Sequence, residues 1–217
     1  GEAGSDLFYG DQGNDFIDGG IGDDVLNGGA DNDTLFGSEG VDTINGDAGN
    51  DALFGGTGSD DLSGGEGADL VFGGEGTDTD TLDGGLGGDL VVGGDGDDTM
   101  YGDEGVPFAA SGAGADYLIG GAGNDTIYGN GNNDTLVGGA GDDILDGGYG
   151  IDCLVGDSTT DIFCLPFFTG SQNPADYGTG DLSGIPLSEL MALQANLDTT
   201  GPASGNDYLY GYEDMDF

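Results

Sequence analysis

The 217-residue sequence predicts an all-β solenoid in which two parallel sheets face each other. Three observations predict this fold: a nine-residue repeat, an apolar residue at one fixed position of every unit, and a glycine-rich stretch between these positions. Clear copies of the unit begin at Gly19, Gly120 and Gly138. A single inward side chain per nine residues is incompatible with an α-helix, whose apolar face recurs with a period of 3.6 residues.

Each unit divides into a turn and a short strand. Positions one to six are rich in glycine and end in aspartate, whereas positions seven to nine predict a three-residue strand whose middle residue points inward. Two units make one 18-residue coil, so consecutive strands belong to opposite sheets. Eighteen units cover residues 1–164, with one two-residue insertion in residues 77–82.

The sixth position is aspartate in every unit except one, where Pro107 replaces it. The nine-residue register predicts two columns of these aspartates, one along each edge of the solenoid. The first predicted column contains Asp6, Asp24, Asp42, Asp60, either Asp78 or Asp80, Asp98, Asp116, Asp134 and Asp152. The second, interrupted at Pro107, contains Asp15, Asp33, Asp51, Asp69, Asp89, Asp125, Asp143 and Asp161.

The charge of the chain is entirely negative, with 44 acidic residues, no lysine, arginine or histidine, and a formal net charge of −44. Carboxylates about 5 Å apart in a column repel each other by about 3 kcal/mol per pair at an effective dielectric constant of about 20. A domain is stable by only about 5–15 kcal/mol. We therefore expect that the solenoid does not fold without multivalent cations.

The same composition excludes several functions. Without basic side chains the chain cannot neutralise phosphates, so we expect neither nucleic acid nor anionic membrane surfaces as direct partners. No apolar run is long enough for membrane insertion. Without histidine or lysine a Ser/His/Asp or Cys/His catalytic group cannot form, and we expect a protein that is not an enzyme.

The units starting at Gly19, Gly120 and Gly138 resemble the repeats-in-toxin (RTX) calcium-binding nonapeptide repeats. The resemblance covers about three quarters of the chain and implies a parallel β-roll. It also implies multiple Ca²⁺ ions, each between two stacked turns, with sixth-position carboxylates and turn carbonyls as ligands. Hard oxygen donors on flexible turns suit calcium, and Asp207, in a later copy of the unit, is a further candidate ligand.

The pattern changes after residue 164. Residues 165–201 contain several prolines and predict a linker or cap with a short helix over residues 186–197. Residues 202–217 resume the repeat without completing it, so we expect either that the chain continues or that a neighbouring molecule completes the coil. In a regular roll Cys153 and Cys164 lie on opposite sheets, so a disulfide requires the turn between them to deviate; free thiols are the alternative.

Apolar residues recur at outward positions of one sheet. Phe36, Phe54, Phe72 and Val92 share one predicted column, and Leu70, Leu90 and Phe108 share another. Soluble monomers rarely expose such a surface. We expect either that residues 165–200 cover it or that another copy of the chain binds there.

Three functions fit these observations. The first is an extracellular calcium-dependent structural protein that assembles head-to-tail or laterally into a filament, surface layer or matrix. The second, which follows from the resemblance, is a calcium-triggered folding module of a larger toxin, enzyme or adhesin exported by bacterial type I secretion. A binding surface for ice or carbohydrate is the third, but Asp61 and Tyr117 interrupt the threonine array that it would need. Both leading hypotheses predict an extracellular or cell-surface location.

Overall fold

The structure is a computed structural model that describes residues 1–103 and 114–156 and the backbone of two further strands, 162–164 and 208–210. In it, two nine-stranded sheets face each other. In spatial order, the first sheet contains β1 (Leu7–Gln12), β3 (Val25–Ala30), β5 (Thr43–Ala48), β7 (Asp61–Glu66), β9 (Thr81–Leu86), β11 (Thr99–Tyr101), β13 (Thr126–Tyr128), β15 (Ile144–Asp146) and β18 (Tyr208–Tyr210). The second contains β2 (Phe16–Ile21), β4 (Thr34–Glu39), β6 (Ala52–Thr57), β8 (Leu70–Gly74), β10 (Leu90–Asp95), β12 (Tyr117–Ala122), β14 (Thr135–Ala140), β16 (Cys153–Val155) and β17 (Ile162–Cys164).

Neighbouring strands are parallel throughout both sheets except at β16 and β17. The predicted all-β fold of two parallel sheets is thus confirmed. Many strands are longer than the three predicted residues, because they continue through the first three positions of the next unit. The turn itself is then confined to positions four to six.

The core is a single ladder of eighth-position side chains between the two sheets, as predicted. Each of these side chains is at most 3% exposed. They are Leu26, Leu35, Ile44, Leu53, Leu62, Val71, Leu82, Val91, Met100, Leu118, Ile127, Leu136, Leu145 and Leu154, and Phe8 and Ile17 pack against them at one end. Burying one apolar side chain per unit yields a thin core, so much of the fold depends on the turns.

The predicted register is wrong after residue 101. Met100 pairs with Ile127, and Val91 pairs with Leu118, so strands 27 residues apart are neighbours here. One nine-residue unit is therefore left out of the two sheets. Pro107 supplies the reason, because it has neither the N–H nor the carboxylate with which a sixth-position residue joins adjacent coils. Residues 104–113, including Phe108, lie outside the described residues.

The last predicted unit, residues 156–164, also departs from the register. β17 pairs with β16 in an antiparallel arrangement, so the chain reverses within the second sheet and does not cross to the first. This unit lacks glycine at its second and fourth positions, which makes the regular turn unfavourable. Cys153 lies directly opposite Cys164 in this pairing and is disulfide-bonded. Of the two alternatives for Cys153, the structure therefore has the disulfide and not the free thiol.

β18 is the last strand of the first sheet, at the position where the register had predicted the strand of residues 156–164. It runs parallel to β15, and Leu209 pairs with the core residue Leu145. Its register is therefore that of the repeat. The predicted helix over residues 186–197, Asp161 and Asp207 lie outside the described residues.

The described part of the chain contains no helix of sufficient length and hydrophobicity to cross a membrane.

Candidate metal sites

The sixth-position aspartates join the coils through their Oδ1 atoms. Within each column the backbone N–H of one aspartate donates a hydrogen bond to Oδ1 of the next, one coil further on, with N···O distances of 2.7–3.0 Å. One column runs through Asp6, Asp24, Asp42, Asp60, Asp80, Asp98, Asp125 and Asp143. The other runs through Asp15, Asp33, Asp51, Asp69, Asp89, Asp116, Asp134 and Asp152.

These columns correct two assignments made from the register. Asp98 is followed by Asp125, not by Asp116, and Asp89 is followed by Asp116. Neither column is interrupted, because the unit containing Pro107 is excluded as a whole. Both columns therefore exchange their predicted members beyond this point.

The two-residue insertion left Asp78 and Asp80 as alternatives for the sixth position. Asp80 occupies it, since it is only 5% exposed and accepts the Asp60 N–H at 2.9 Å. Asp78 is exposed. The insertion is therefore accommodated within the turn that precedes Asp80.

The second carboxylate oxygen of these aspartates is buried without a hydrogen-bond partner. This holds, within the described structure, for Oδ2 of Asp15, Asp24, Asp33, Asp42, Asp51, Asp60, Asp69, Asp89, Asp98, Asp116, Asp125 and Asp134. An ionised oxygen that is buried and unpaired costs several kcal/mol, and the chain has no basic side chain to offset this cost. These oxygens therefore indicate a bound cation.

Each such oxygen lies beside a first-position glycine. The space between them exists because glycine has no Cβ atom. A Cβ added to Gly46 would lie 2.5 Å from Oδ2 of Asp51 and 2.5 Å from the carbonyl oxygen of Gly64, which belongs to the next coil. A Cβ on Gly55 would likewise lie 2.5 Å from Oδ2 of Asp60 and from the Gly73 carbonyl oxygen. A carboxylate and a carbonyl from adjacent coils thus border the same glycine, and both are hard oxygen donors that calcium prefers.

Side chains alone do not complete these sites. Among the residues that the structure describes, no three acidic or cysteine side chains converge closely enough to hold a metal ion. An ion must therefore be shared between carboxylate and backbone carbonyl oxygens of two stacked turns. The donors present fit Ca²⁺, which would supply the positive charge that the columns lack.

The electrostatics of the columns point the same way. Burial and, to a smaller extent, neighbouring carboxylates raise the pKa of Asp51 to about 6 and that of Asp60 to about 7, against the lowering effect of backbone hydrogen bonds. In later coils burial and neighbouring carboxylates raise the pKa of Asp116 to about 8 and that of Asp134 to about 9. The folded columns thus disfavour the ionised state in the absence of a cation.

Sequence reasoning missed one buried carboxylate, that of Asp103, which is 1% exposed. It occupies a second position, where Asp11 and Asp47 also occur, so the residue type itself carried no signal. The sequence feature that could have indicated the burial of Asp103 is Pro107, because exclusion of the unit that contains Pro107 alters the turn next to Asp103.

Comparisons with known proteins agree with this geometry. No curated protein sequence matches the chain. A family model that comprises four copies of the RTX calcium-binding nonapeptide repeat matches the chain at residues 1–26, 18–53, 28–62, 46–80, 77–107, 110–145 and 128–163. These matches cover well over half of the chain, and with the two-sheet roll and its paired turns they show that the chain belongs to the RTX calcium-binding nonapeptide repeat family.

Proposed function

We propose that this protein is an extracellular, non-enzymatic structural β-roll that folds when calcium occupies its turns and then assembles laterally with copies of itself. Calcium binding follows from the repeat family and is supported by the unpaired carboxylate oxygens. The case for self-assembly rests on one surface of the folded roll.

That surface is the outer face of the second sheet. Phe36 stacks on Phe54 with ring centroids 4.7 Å apart, and Phe54 stacks on Phe72 at 5.3 Å. The corrected register extends this column of ninth-position residues, which we call the apolar strip, through three more strands. The apolar strip comprises Phe36, Phe54, Phe72, Val92, Ile119, Val137 and Val155.

The apolar strip is partly exposed and has exposed apolar neighbours. Its members are half-buried by one another, and the adjacent Leu70 and Tyr117 are 43% and 44% exposed. The corresponding positions of the first sheet hold polar residues and tyrosines, namely Tyr9, Asn27, Asn45, Ser63, Asp83, Tyr101, Tyr128 and Asp146. The two faces of the roll therefore differ in chemistry.

The absence of carboxylates from the apolar strip is the observation that carries the proposal. Two chains of net charge −44 without any basic side chain repel each other over most of their surfaces. Contact through the apolar strip buries hydrophobic area without desolvating a carboxylate. Because the strip exists only in the folded roll, assembly would depend on calcium.

Electron microscopy and sedimentation of the full chain test this proposal, in millimolar calcium and with a chelator. We expect filaments or sheets in calcium only. Phe54→Asp should leave discrete rods, because it places a carboxylate in the apolar strip. Asn27→Asp, at the equivalent position of the first sheet, is the matched control and should still assemble.

Wild-type protein that folds in calcium but remains as discrete rods at high concentration would contradict self-assembly. That result would favour the second function, a calcium-triggered module of a larger secreted protein.

A further inference from the structure

Asp103 is a buried carboxylate that the nine-residue repeat does not account for. It lies two residues after the end of β11, at the point where the excluded unit leaves the roll, and it is 1% exposed. All other aspartates exposed by less than a tenth in the described residues occupy sixth positions. Its burial therefore needs an explanation of its own.

The two oxygens of Asp103 have different surroundings. Oδ1 lies 3.4 Å from the backbone nitrogen of Gly114, which resumes the roll after the excluded unit. The backbone N–H of Gly131, in the next coil, lowers the pKa of this carboxyl and donates a hydrogen bond to the Gly129 carbonyl oxygen at 3.1 Å. Oδ2 is buried and has no hydrogen-bond partner within the described structure. Oδ1 thus hydrogen-bonds within the turn, whereas Oδ2 is available to a ligand.

Asp103 interacts electrostatically with three successive aspartates of the second column. Its negative charge contributes to raising the pKa of Asp89, of Asp116 and of Asp134. Three buried carboxylates of this column therefore lie within electrostatic range of Asp103, in addition to their neighbours within the column. The chain supplies no cation to compensate the charge of Asp103.

The regular donors remain in place beside Asp103. Oδ2 of Asp116 and the carbonyl oxygen of Gly129 both border Gly102, as their counterparts do in other coils. The turn formed by residues 102, 103 and 114–116 therefore retains its carboxylate and carbonyl and gains a second carboxylate. Calcium affinity in oxygen sites increases with the number of charged ligands.

We propose that Asp103 is a calcium ligand outside the repeat, and that it makes this turn the tightest calcium site of the described roll. Occupation of this site at the lowest calcium concentration would hold together the coils on either side of the excluded unit. The proposal rests on calcium binding by the roll and is independent of self-assembly.

Asp103→Asn tests the proposal in the full chain. Asparagine retains Oδ1 as an acceptor for the N–H group of Gly114 but replaces the unpaired Oδ2 with an amide nitrogen. Asp95→Asn removes an exposed carboxylate from β10 and is the matched control. Equilibrium dialysis against labelled calcium gives the number of bound ions and the calcium concentration at which each binds.

We expect the first ion to bind Asp103→Asn about tenfold more weakly than wild type, or not at all, and to bind Asp95→Asn as it binds wild type. An Asp103→Asn curve identical to that of wild type would overturn the proposal and leave Asp103 with a purely structural role. Sedimentation of the same samples measures self-assembly separately. Failure of the calcium-site proposal can therefore be distinguished from failure of the self-assembly proposal.

A crystal structure of the wild-type chain with calcium decides the question if Asp103→Asn does not fold. An ion about 2.3–2.6 Å from Oδ2 of Asp103 supports the proposal. An Oδ2 that contacts only water or protein overturns it.

Discussion

The two carboxylate oxygens of most sixth-position aspartates have separable roles. Oδ1 accepts a hydrogen bond from the preceding coil, whereas Oδ2 remains buried and unpaired, as at Asp51. The first role requires only an acceptor, and an amide oxygen can fulfil it. The second requires a charge that binds a cation. Asparagine and alanine substitutions at the same position therefore distinguish the hydrogen bond from the metal ligand.

Asp51 is suited to this comparison, since it is 2% exposed and accepts the Asp33 N–H at 2.7 Å. We expect Asp51→Asn to weaken calcium binding at the adjacent turns while retaining the hydrogen bond. Asp51→Ala should also leave the Asp33 N–H buried and unpaired, and so be less stable than Asp51→Asn by about 1–3 kcal/mol in saturating calcium. Calcium titrations and thermal unfolding, both followed by circular dichroism, measure the two effects.

Asp61→Asn removes an exposed seventh-position carboxylate and is the control for this series. If Asp51→Asn and Asp61→Asn titrate alike, the sixth-position carboxylates are not the calcium ligands.

At the scale of the elements, the sequence predicted the repeating strand and turn but not which units enter the roll. The period, the inward eighth position and the two sheets are properties of a single unit, so they can be read from local residues. Incorporation of a unit depends on contacts between coils. Pro107 was interpreted as a gap in one column, yet without the inter-coil hydrogen bonds its whole unit is excluded. This exclusion transfers Ile119 and Val137 to the second sheet, where they extend the apolar strip.

Deletion of residues 104–112 tests the exclusion of this unit. The deletion joins Asp103 to Ala113 and produces the regular turn Gly-Asp-Ala-Gly-Ala-Asp, which ends at Asp116. Because the pairs of β10 with β12 and of β11 with β13 already bypass these residues, we expect the same fold. Loop-closure entropy predicts that stability in calcium is retained or rises by about 1 kcal/mol or less.

Thermal unfolding and circular dichroism in calcium provide the measurement for the deletion. If the unit belonged to the roll, its removal would transfer every later strand to the opposite sheet. A lower unfolding temperature or a loss of cooperative unfolding would therefore contradict the observed register.

At the scale of the whole molecule, the fold concentrates negative charge in two buried columns. Burial and neighbouring carboxylates raise the pKa of aspartates along both columns, including Asp60 to about 7 and Asp134 to about 9. In an unfolded chain the corresponding pKa is about 3.9. Between these limits the calcium-free folded roll binds more protons than the unfolded chain, so its free energy of unfolding decreases as the pH rises.

Acidification should therefore partly replace calcium. We expect the chelated chain to gain β-structure as the pH falls from about 8 to about 5.5, because protons neutralise the columns across the interval between the unfolded and folded pKa values. The endpoint remains above the isoelectric point of about 4.1. In a parallel titration at limiting calcium, the same acidification should weaken calcium binding, since protons compete for the carboxylates. Circular dichroism and calcium-electrode measurements on the same samples report both effects. A chelated chain that is more folded at pH 8 than at pH 5.5 would show that repulsion within the columns does not control folding.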